Sequence, residues 1–396
     1  MTASPPVREI IRIRQIMKPW ATVVSLALIA LTSCTTVPES YPIPAAHEIP
    51  GELPMSKGAG RGNLLVVTLR LESGEELPFI IDTGASVTVF DKSFKSKLGK
   101  PVGTGTLKHW GVVENTAYYK EPKLFWGKTQ LVTGDQVVTM DLKGLSRQVG
   151  QPVTGVLGAD CLRHYCLQLD FVAGKVRFLP TALDHETDLG QSFALIEHGD
   201  LRFDVRGNLV GNKDTISTVD TGCNDDGWLM PKWYRPWSKP VTGSAKNGAV
   251  HSPNGKFGDE IYPEMQLHSA DFESNGIGLS FLARHLVTFD FPRWKMYLKR
   301  TSIGPLVDED WDSAFRFMKA LKQEGRVPGW SKDEHGEWHS FPEIGTNSVT
   351  FVFQKSGKPS VYHYRVTRST NDAPWQLQKA WRTDQNDQLL EEYPLP

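Results

Sequence analysis

The chain has little cysteine and no excess of charge of either sign. Four cysteines in 396 residues are too few for a small scaffold held together by disulfides. Lysine and arginine number 44 against 45 aspartate and glutamate residues, so the net charge is −1. No basic run accompanies an aromatic platform, so the sequence lacks the electrostatic pattern of a nucleic-acid-binding protein. We therefore expect no nucleic-acid partner.

The sequence also has few residues at the spacing that is typical of metal ligands. His335 and His339 are four residues apart, but Gly336 lies between them in a polar segment. A helix that would present both rings on one face is therefore disfavoured. We expect neither a metal ion nor a cofactor.

The amino terminus carries an apolar run that is too short to span a membrane as a helix. Residues 21–31 form this run of 11 residues, a length typical of the central region of a signal peptide. Leu31-Thr32-Ser33-Cys34 follows and resembles a bacterial lipobox. We therefore predict a lipoprotein signal peptide over residues 1–34, lipidation of Cys34, and a protein anchored by lipid in the bacterial cell envelope, periplasmic or associated with the outer membrane.

Two alternatives stay open at this end of the chain. The apolar run could instead be a buried helix, and translation could begin at Met17 rather than Met1. The proline-containing stretch that follows Cys34 is predicted to be a linker over residues 35–60.

What the sequence does contain is an internal repeat. Asp-Thr-Gly occurs at residues 82–84 and again at residues 220–222. Further along, residues 156–162 align with residues 276–282 at an offset of 120, and the alignment continues without a gap to Lys175 and Lys295. A repeated block of this kind is one supersecondary unit that buries its apolar face against its copy. The repeat predicts a pseudo-twofold pair of lobes, over residues 61–182 and 190–302.

Each Asp-Thr-Gly follows a predicted β-hairpin. Residues 64–69 and 77–81 lead into Asp82, and residues 201–205 and 215–219 lead into Asp220. Each motif is then a turn at the tip of a strand. Two carboxylates about 3 Å apart repel by roughly 5 kcal/mol at an effective dielectric of ~20, so such a pair would hold one proton over a wide pH range. One group could then act as a base toward water while the other protonates a carbonyl oxygen.

These motifs resemble those of the aspartic protease superfamily, specifically the bacterial retropepsin-like enzymes, with both halves in one chain as in pepsins. The resemblance is carried by residues 82–86 and 156–158 in the first lobe and by residues 220–222 and 276–278 in the second. It implies a mainly β, bilobal fold with double-psi β-barrel-like lobes. The implied activity is that of an aspartic endopeptidase, a monomer that hydrolyses a peptide or protein substrate.

The resemblance also implies roles for individual residues. Asp82 and Asp220 would form the catalytic dyad, and Thr83 and Thr221 would bond across the pseudo-dyad. The other implied supports of the two carboxylates are Gly84, Gly222 and Ser86. The second lobe departs from the pattern, because Cys223 and Asn224 stand where Ala85 and Ser86 stand in the first. We expect Asn224 to support Asp220.

Two other functional hypotheses remain open. The chain could be a non-catalytic, protease-like binding protein of the envelope, or an enzyme whose lobes pair between chains. Residues 103–111 and 241–251 are candidates for the mobile hairpin, or flap, that covers the cleft in this family, with ordinary surface loops as the alternative. The remaining cysteines are predicted to be buried apolar fillers rather than a disulfide: Cys161, Cys166 and Cys223.

The pattern changes after Arg300. Apolar residues recur at helical spacing from Trp311 to Leu321, and four strand-like stretches follow. Residues 308–396 are therefore predicted to form a small α+β domain. The sequence assigns no function to this domain.

Overall fold

The computed structural model describes residues 29–30, 49–109, 112–180, 188–197, 201–237, 254–329, 336–343, 347–355, 360–370, 372–384 and 388–395. The described part of the chain is mainly β, as the sequence predicts. None of the helices in these ranges is long and apolar enough to cross a membrane.

The first lobe is built on a ten-stranded sheet with strand order β1-β6-β7-β10-β5-β11-β4-β3-β8-β9. Most apolar side chains of β3 and β4 are buried in the core. The strands in chain order, of which β2 belongs to the second sheet, are β1 Ile29–Ala30, β2 Leu53–Pro54, β3 Val66–Leu71, β4 Glu76–Ile81, β5 Val89–Asp91, β6 Gly103–His109, β7 Val112–Lys120, β8 Leu124–Trp126, β9 Thr129–Gln130, β10 Gln136–Met140 and β11 Gly155–Leu157.

Short helices connect these strands. They are a 3-10 turn at Lys92–Phe94, α1 Lys95–Leu98, α2 Lys143–Val149 and α3 Ala159–Leu162. Helix α3 begins directly after Gly158 and is buried along its whole length.

The second lobe belongs to an eleven-stranded sheet with strand order β2-β13-β12-β22-β23-β14-β15-β16-β21-β17-β20, in which β12 and β13 come from the first lobe. A separate two-stranded sheet pairs β18 with β19. The strands are β12 Cys166–Asp170, β13 Lys175–Leu179, β14 Gln191–Glu197, β15 Phe203–Arg206, β16 Ile216–Asp220, β17 Gly227–Leu229, β18 Gly255–Phe257, β19 Glu260–Tyr262, β20 Leu267–Ser269, β21 Asn275–Gly278, β22 His285–Asp290 and β23 Lys295–Arg300. The helical segments are α4 Pro231–Trp237, α5 Leu279–Leu282 and a 3-10 turn at Phe291–Arg293.

The two lobes join along an antiparallel pair, β12 with β22. In this pair Gln168 lies opposite Thr288, and its Nε2 donates a buried hydrogen bond of 3.0 Å to the Thr288 hydroxyl group. These two residues are separated by 120 positions, the offset of the sequence repeat. A residue that pairs with its own repeat equivalent marks a twofold axis, so the pseudo-twofold axis passes between Gln168 and Thr288. One apolar core extends through both lobes.

The carboxy-terminal part consists of a helix and a five-stranded antiparallel sheet in chain order, with its own apolar core. Asp308 caps the helix, because its Oδ1 accepts from the amides of Asp310 and Trp311. Strand β24 was not predicted from the sequence. The elements are α6 Glu309–Gln323, β24 Gly336–Glu343, β25 Ser348–Lys355, β26 Val361–Thr367, β27 Gln376–Thr383 and β28 Leu389–Tyr393.

Candidate active site

Each Asp-Thr-Gly loop is held between strands in the same way. Strand β4 runs into Asp82 and pairs in parallel with β11, which also pairs antiparallel with β5, the strand after the loop. In the second lobe β16 runs into Asp220 and pairs in parallel with β21. Strand β21 also pairs antiparallel with β17, the strand after the loop. In both lobes the glycine-containing strand therefore lies between the strand that enters the loop and the strand that leaves it.

Gly158 directly follows β11 and Gly278 ends β21, because the loop lies against both positions. A Cβ atom on Gly158 would come within 2.6 Å of the Val87 carbonyl group, and one on Gly278 within 2.3 Å of the Asp225 carbonyl oxygen. Real Cβ atoms do not approach backbone atoms so closely. The sequence requirement for glycine at both positions thus follows from the close passage of the strand behind the loop.

Thr83 and Thr221 bond across the two lobes in a reciprocal pattern. The Thr83 amide donates to the Thr221 hydroxyl group (3.0 Å), and the Thr221 amide donates to the Thr83 hydroxyl group (3.1 Å). Each hydroxyl group in turn donates to a carbonyl oxygen at the end of the other lobe's strand, Thr83 to Val219 (2.7 Å) and Thr221 to Ile81 (2.8 Å). Four buried hydrogen bonds therefore fix the two loops to each other.

The carboxyl groups of Asp82 and Asp220 are buried and face each other. The Gly84 and Ala85 amides donate to Asp82 Oδ1 (2.8 and 3.1 Å), and the Gly222 amide donates to Asp220 Oδ1 (2.8 Å). A Cβ on Gly222 would lie 2.4 Å from Asp82 Oδ2, and a Cβ on Gly84 would lie 2.6 Å from Asp220 Cγ. Each carboxyl group therefore reaches over the glycine of the opposite lobe, where any side chain would displace it.

Burial raises the pKa of Asp82 well above its usual range. The negative charge and the hydrogen-bonding contact of Asp220 raise this pKa further, while the amides of Gly84 and Ala85 oppose the shift. Asp82 Oδ2 accepts no hydrogen bond from any described donor group. A proton held between the two carboxyl groups would satisfy this oxygen, because Asp220 is within bonding reach.

Ser86 and Asn224, the positions after the two motifs, differ in their contacts. Ser86 is fully buried, and its carbonyl oxygen accepts from the Asp160 amide (3.2 Å). Asn224 donates from Nδ2 to the carbonyl oxygen of Gly62 in the first lobe (2.6 Å). The Asn224 side chain thus makes a further contact between the lobes. The supporting roles that the sequence suggests for both residues toward the carboxylates stay predictions.

Two buried polar pairs that sequence reasoning missed lie directly behind the loops. Asp160 accepts from the amide and hydroxyl groups of Thr88 (3.0 and 2.9 Å). Arg284 donates from Nη2 to both carboxylate oxygens of Asp226 (3.0 and 3.1 Å). Thr88 and Asp226 each lie six residues after the aspartate of their motif, and this equal spacing was the available signal.

A β-hairpin lies where the first flap candidate was predicted. Strands β6 and β7 pair from Gly103 with Tyr118 to His109 with Val112. The flap candidate at residues 241–251 lies outside the described residues. Whether the first hairpin closes over the dyad stays a prediction.

The cysteines within the described ranges are buried and form no disulfide: Cys161, Cys166 and Cys223. Burial and the nearby Asp160 and Glu121 charges raise the pKa of Cys161, so its thiol is not an activated nucleophile. Within the same ranges no group of histidine, cysteine, aspartate or glutamate residues has the arrangement of a metal site. Cys34 lies outside the described residues.

Comparison with known proteins connects the first lobe to a protein family. Residues 67–161 match a family model described as aspartyl protease. This aspartyl-protease segment contains Asp82 and the Gly158 strand, spans about a quarter of the chain, and ends before Asp220. The match supports the resemblance to the aspartic protease superfamily that the motifs suggest.

The other comparisons add less. No curated protein matches the chain. The solved structures that match it include the crystal structure of Basic 7S globulin from soybean, at 11% identity and a TM-score of 0.43 over 64% of this chain and 96% of that one. A likeness at this level carries no argument about activity.

Proposed function

We propose that the protein is an aspartic endopeptidase in which Asp82 and Asp220 activate water. The observation that carries the proposal is the pair of buried carboxyl groups that face each other across the lobes, each held by amides of its own loop. The aspartyl-protease segment at residues 67–161 supports the same function.

The chemistry follows from one proton shared by two carboxyl groups. The ionised carboxylate accepts a proton from water as the water oxygen bonds to the peptide carbonyl carbon. The protonated partner gives its proton to the carbonyl oxygen, so that charge does not build up on the tetrahedral intermediate. As the intermediate collapses, the C–N bond breaks and the leaving nitrogen takes up a proton from one carboxyl group. A hydroxyl group of the intermediate gives its proton to the other carboxylate as the C=O bond re-forms, so the dyad again holds one proton. The chain then needs no metal ion or cofactor.

We further propose that the enzyme acts at the bacterial cell envelope, attached by lipid on Cys34, and that it acts as a monomer on a peptide or protein. The lipobox-like sequence at residues 31–34 supports the anchor. The Thr83 and Thr221 bonds supply the lobe pairing from within one chain, which supports the monomer over pairing between chains.

The competing proposal is a non-catalytic binding protein. It is favoured by one observation, namely that the family match ends at residue 161 and leaves Asp220 outside. The two proposals make different predictions for protein that lacks residues 1–34 when it is incubated with a peptide library between about pH 3 and pH 8.

Cleavage products found by mass spectrometry for the wild type, and lost in both Asp82→Asn and Asp220→Asn, would support the enzyme. Asp170→Asn is the matched control, because the Asp170 side chain accepts from the Ala173 amide in a turn of the same lobe. This variant should cleave like the wild type. Absence of cleavage by folded wild-type protein at every pH would instead favour the binding protein.

A further inference from the structure

Each polar pair behind the loops has one member, Thr88 or Asp226, at an equivalent place in its lobe. Thr88 follows Asp82 by six residues, and Asp226 follows Asp220 by six. Each of these positions binds a side chain from the segment that follows the lobe's glycine strand, namely Asp160 in the first lobe and Arg284 in the second. The partners are not repeat equivalents, because Asp160 aligns with Ser280 and Arg284 aligns with His164 at the offset of 120. Both nevertheless reach the loop from the segment after the glycine strand.

The pair in the first lobe is enclosed. The Thr88 side chain is inaccessible to solvent and only 7% of Asp160 is exposed. Both carboxylate oxygens of Asp160 are occupied by Thr88, one by its amide and one by its hydroxyl group. This carboxyl group makes no described contact with the dyad. The Cys161 amide also bonds to it, so it connects Thr88 to the start of α3.

The pair in the second lobe is a buried salt bridge. Arg284 is fully buried and Asp226 is 1% exposed. Arg284 Nη1 also donates to the Pro263 carbonyl oxygen (2.7 Å), and Asp226 Oδ2 accepts from the Gln266 amide (2.6 Å). The side chains are therefore fixed from several directions, and neither can move without breaking another bond.

The backbone completes the connection between these pairs and the dyad. At the start of α3 the Ala159 amide donates to the Ala85 carbonyl oxygen, and at the start of α5 the Leu279 amide donates to the Cys223 carbonyl oxygen, each at 2.7 Å. Each loop is thus held by the threonine bonds at one end, by a helix amide in its middle, and by a buried polar pair at its other end.

We propose that Asp160 and Arg284 are positioning residues of the active site. By holding Thr88 and Asp226 they fix the course of each loop, and with it the direction of the Asp82 and Asp220 carboxyl groups toward each other. The inference rests on the proposed endopeptidase function. It goes beyond that function in assigning a role to four residues that do not contact the dyad.

The variant that tests the first lobe is Thr88→Val, which keeps the shape of the side chain and removes the hydroxyl group. A small displacement of catalytic groups can cost as much as about 100-fold in rate, and we expect kcat/KM for a cleaved peptide to fall roughly 10- to 100-fold. The pH profile of kcat/KM should also shift, because the two carboxyl groups would no longer meet in the same geometry. Thr88→Ser, which retains the hydroxyl group, should restore most of the activity and the original profile.

The variant for the second lobe is Arg284→Lys, which keeps the positive charge but has a single side-chain nitrogen. It therefore cannot contact both Asp226 and the Pro263 carbonyl oxygen as Arg284 does. The matched control is Thr288→Val, which removes a buried threonine hydroxyl bond on the pseudo-twofold axis. The control should lower the melting temperature without moving the pH profile. A wild-type profile and rate in Thr88→Val, or an equal profile shift in Thr288→Val, would overturn the inference. If Arg284→Lys does not fold, the Thr88 variants decide the outcome.

The inference can be tested even if the proposed function fails. Should the wild type cleave no peptide, carboxyl-carbon NMR titration of Asp82 and Asp220 replaces the kinetic assay. An altered pair of titration midpoints in Thr88→Val, unchanged in Thr288→Val, would support positioning without catalysis. Identical midpoints in the wild type and in Thr88→Val would contradict it.

Discussion

Thr83 and Thr221 show how much of the molecule depends on single side chains. Each hydroxyl group accepts one hydrogen bond and donates another across the lobes, in a fully buried place. A buried polar group that loses its partner costs about 1–3 kcal/mol. Removal of one hydroxyl group leaves both an amide and a carbonyl oxygen without partners.

We therefore expect Thr83→Val to lower the free energy of unfolding by roughly 2–4 kcal/mol. Urea denaturation followed by circular dichroism measures this change. Thr68→Val is the control, because Thr68 is an exposed strand residue of the same lobe, and it should change stability by less than about 0.5 kcal/mol. Equal stability of Thr83→Val and the wild type would show that the cross-lobe bonds do not hold in solution.

Glu121 gives stability a pH dependence that is separate from the dyad. Burial raises its pKa to about 9, with added repulsion from the negative charges of Asp160 and Asp135, and the Thr133 side chain compensates only in part. Both carboxyl oxygens lack a well-formed hydrogen bond. Because the folded-state pKa lies above the unfolded value, this group's contribution to stability is greatest in acid and is lost as the pH rises toward 9.

We expect the free energy of unfolding to fall with rising pH between about 5 and 9, by up to about 1.4 kcal/mol per pH unit from this group. Glu121→Gln should remove that slope and be more stable than the wild type at pH 8. Denaturation midpoints at several pH values measure both effects. An unchanged slope in Glu121→Gln would assign the pH dependence to other groups.

At the scale of elements, the glycine strands β11 and β21 position the site. A side chain on Gly158 would collide with the backbone at Val87, so we expect Gly158→Ala to destabilise the protein by roughly 1–3 kcal/mol and to reduce cleavage together with it. Gly144→Ala is the matched control. A Cβ on Gly144, in helix α2, meets no atom within 4 Å, and alanine favours a helix by up to about 1 kcal/mol. The melting temperature should therefore fall in Gly158→Ala and rise in Gly144→Ala. The same shift in both variants would contradict the close packing of β11.

Elements with a strong local pattern could be predicted from the sequence. The hairpin that leads into Asp82 consists of short apolar runs around a turn, residues 201–205 before Asp220 alternate apolar and polar residues, and α6 repeats its apolar residues from Trp311 at helical spacing. Strand β24 could not be predicted, because residues 336–343 contain glycine, proline and several charged or polar side chains without such alternation. Its place depends on pairing with β25, a contact that the local sequence does not encode.

The candidate site likewise contains residues that could be predicted from the sequence and residues that could not. Asp82, Asp220 and their neighbours could be found because a turn motif is short and occurs twice. The bonds of Asp160 with Thr88 and of Arg284 with Asp226 join residues 72 and 58 positions apart, and their types differ between the lobes. Only the folded chain brings them together, so the repeat alone did not reveal them.

At the scale of the whole molecule, one chain supplies both halves of the site. The bonds between Thr83 and Thr221, the contact of Asn224 with Gly62, and the β12–β22 pair all join the lobes within the chain. If the proposed activity holds, we therefore expect cleavage per molecule to stay constant as the protein is diluted from micromolar to nanomolar concentration, in a fluorogenic peptide assay with carrier protein. A specific activity that falls with dilution would indicate lobes that pair between chains.

The carboxy-terminal part is tied to the first lobe through Asp310. This carboxylate accepts from Lys57, which precedes β3, and from Arg368, which follows β26. The two cations lower the pKa of Asp310. Lys57 is mostly exposed, so the tie orients the two parts and adds little stability.

The central claim is that Asp82 and Asp220 share one proton across the two lobes. Carboxyl-carbon NMR titration of the wild type, with the signals assigned by Asp82→Asn and Asp220→Asn, measures this directly. The account predicts two widely separated steps, with the second proton retained well above the usual aspartate range and the separation abolished in either variant. Two independent titrations near the ordinary aspartate pKa would contradict the account.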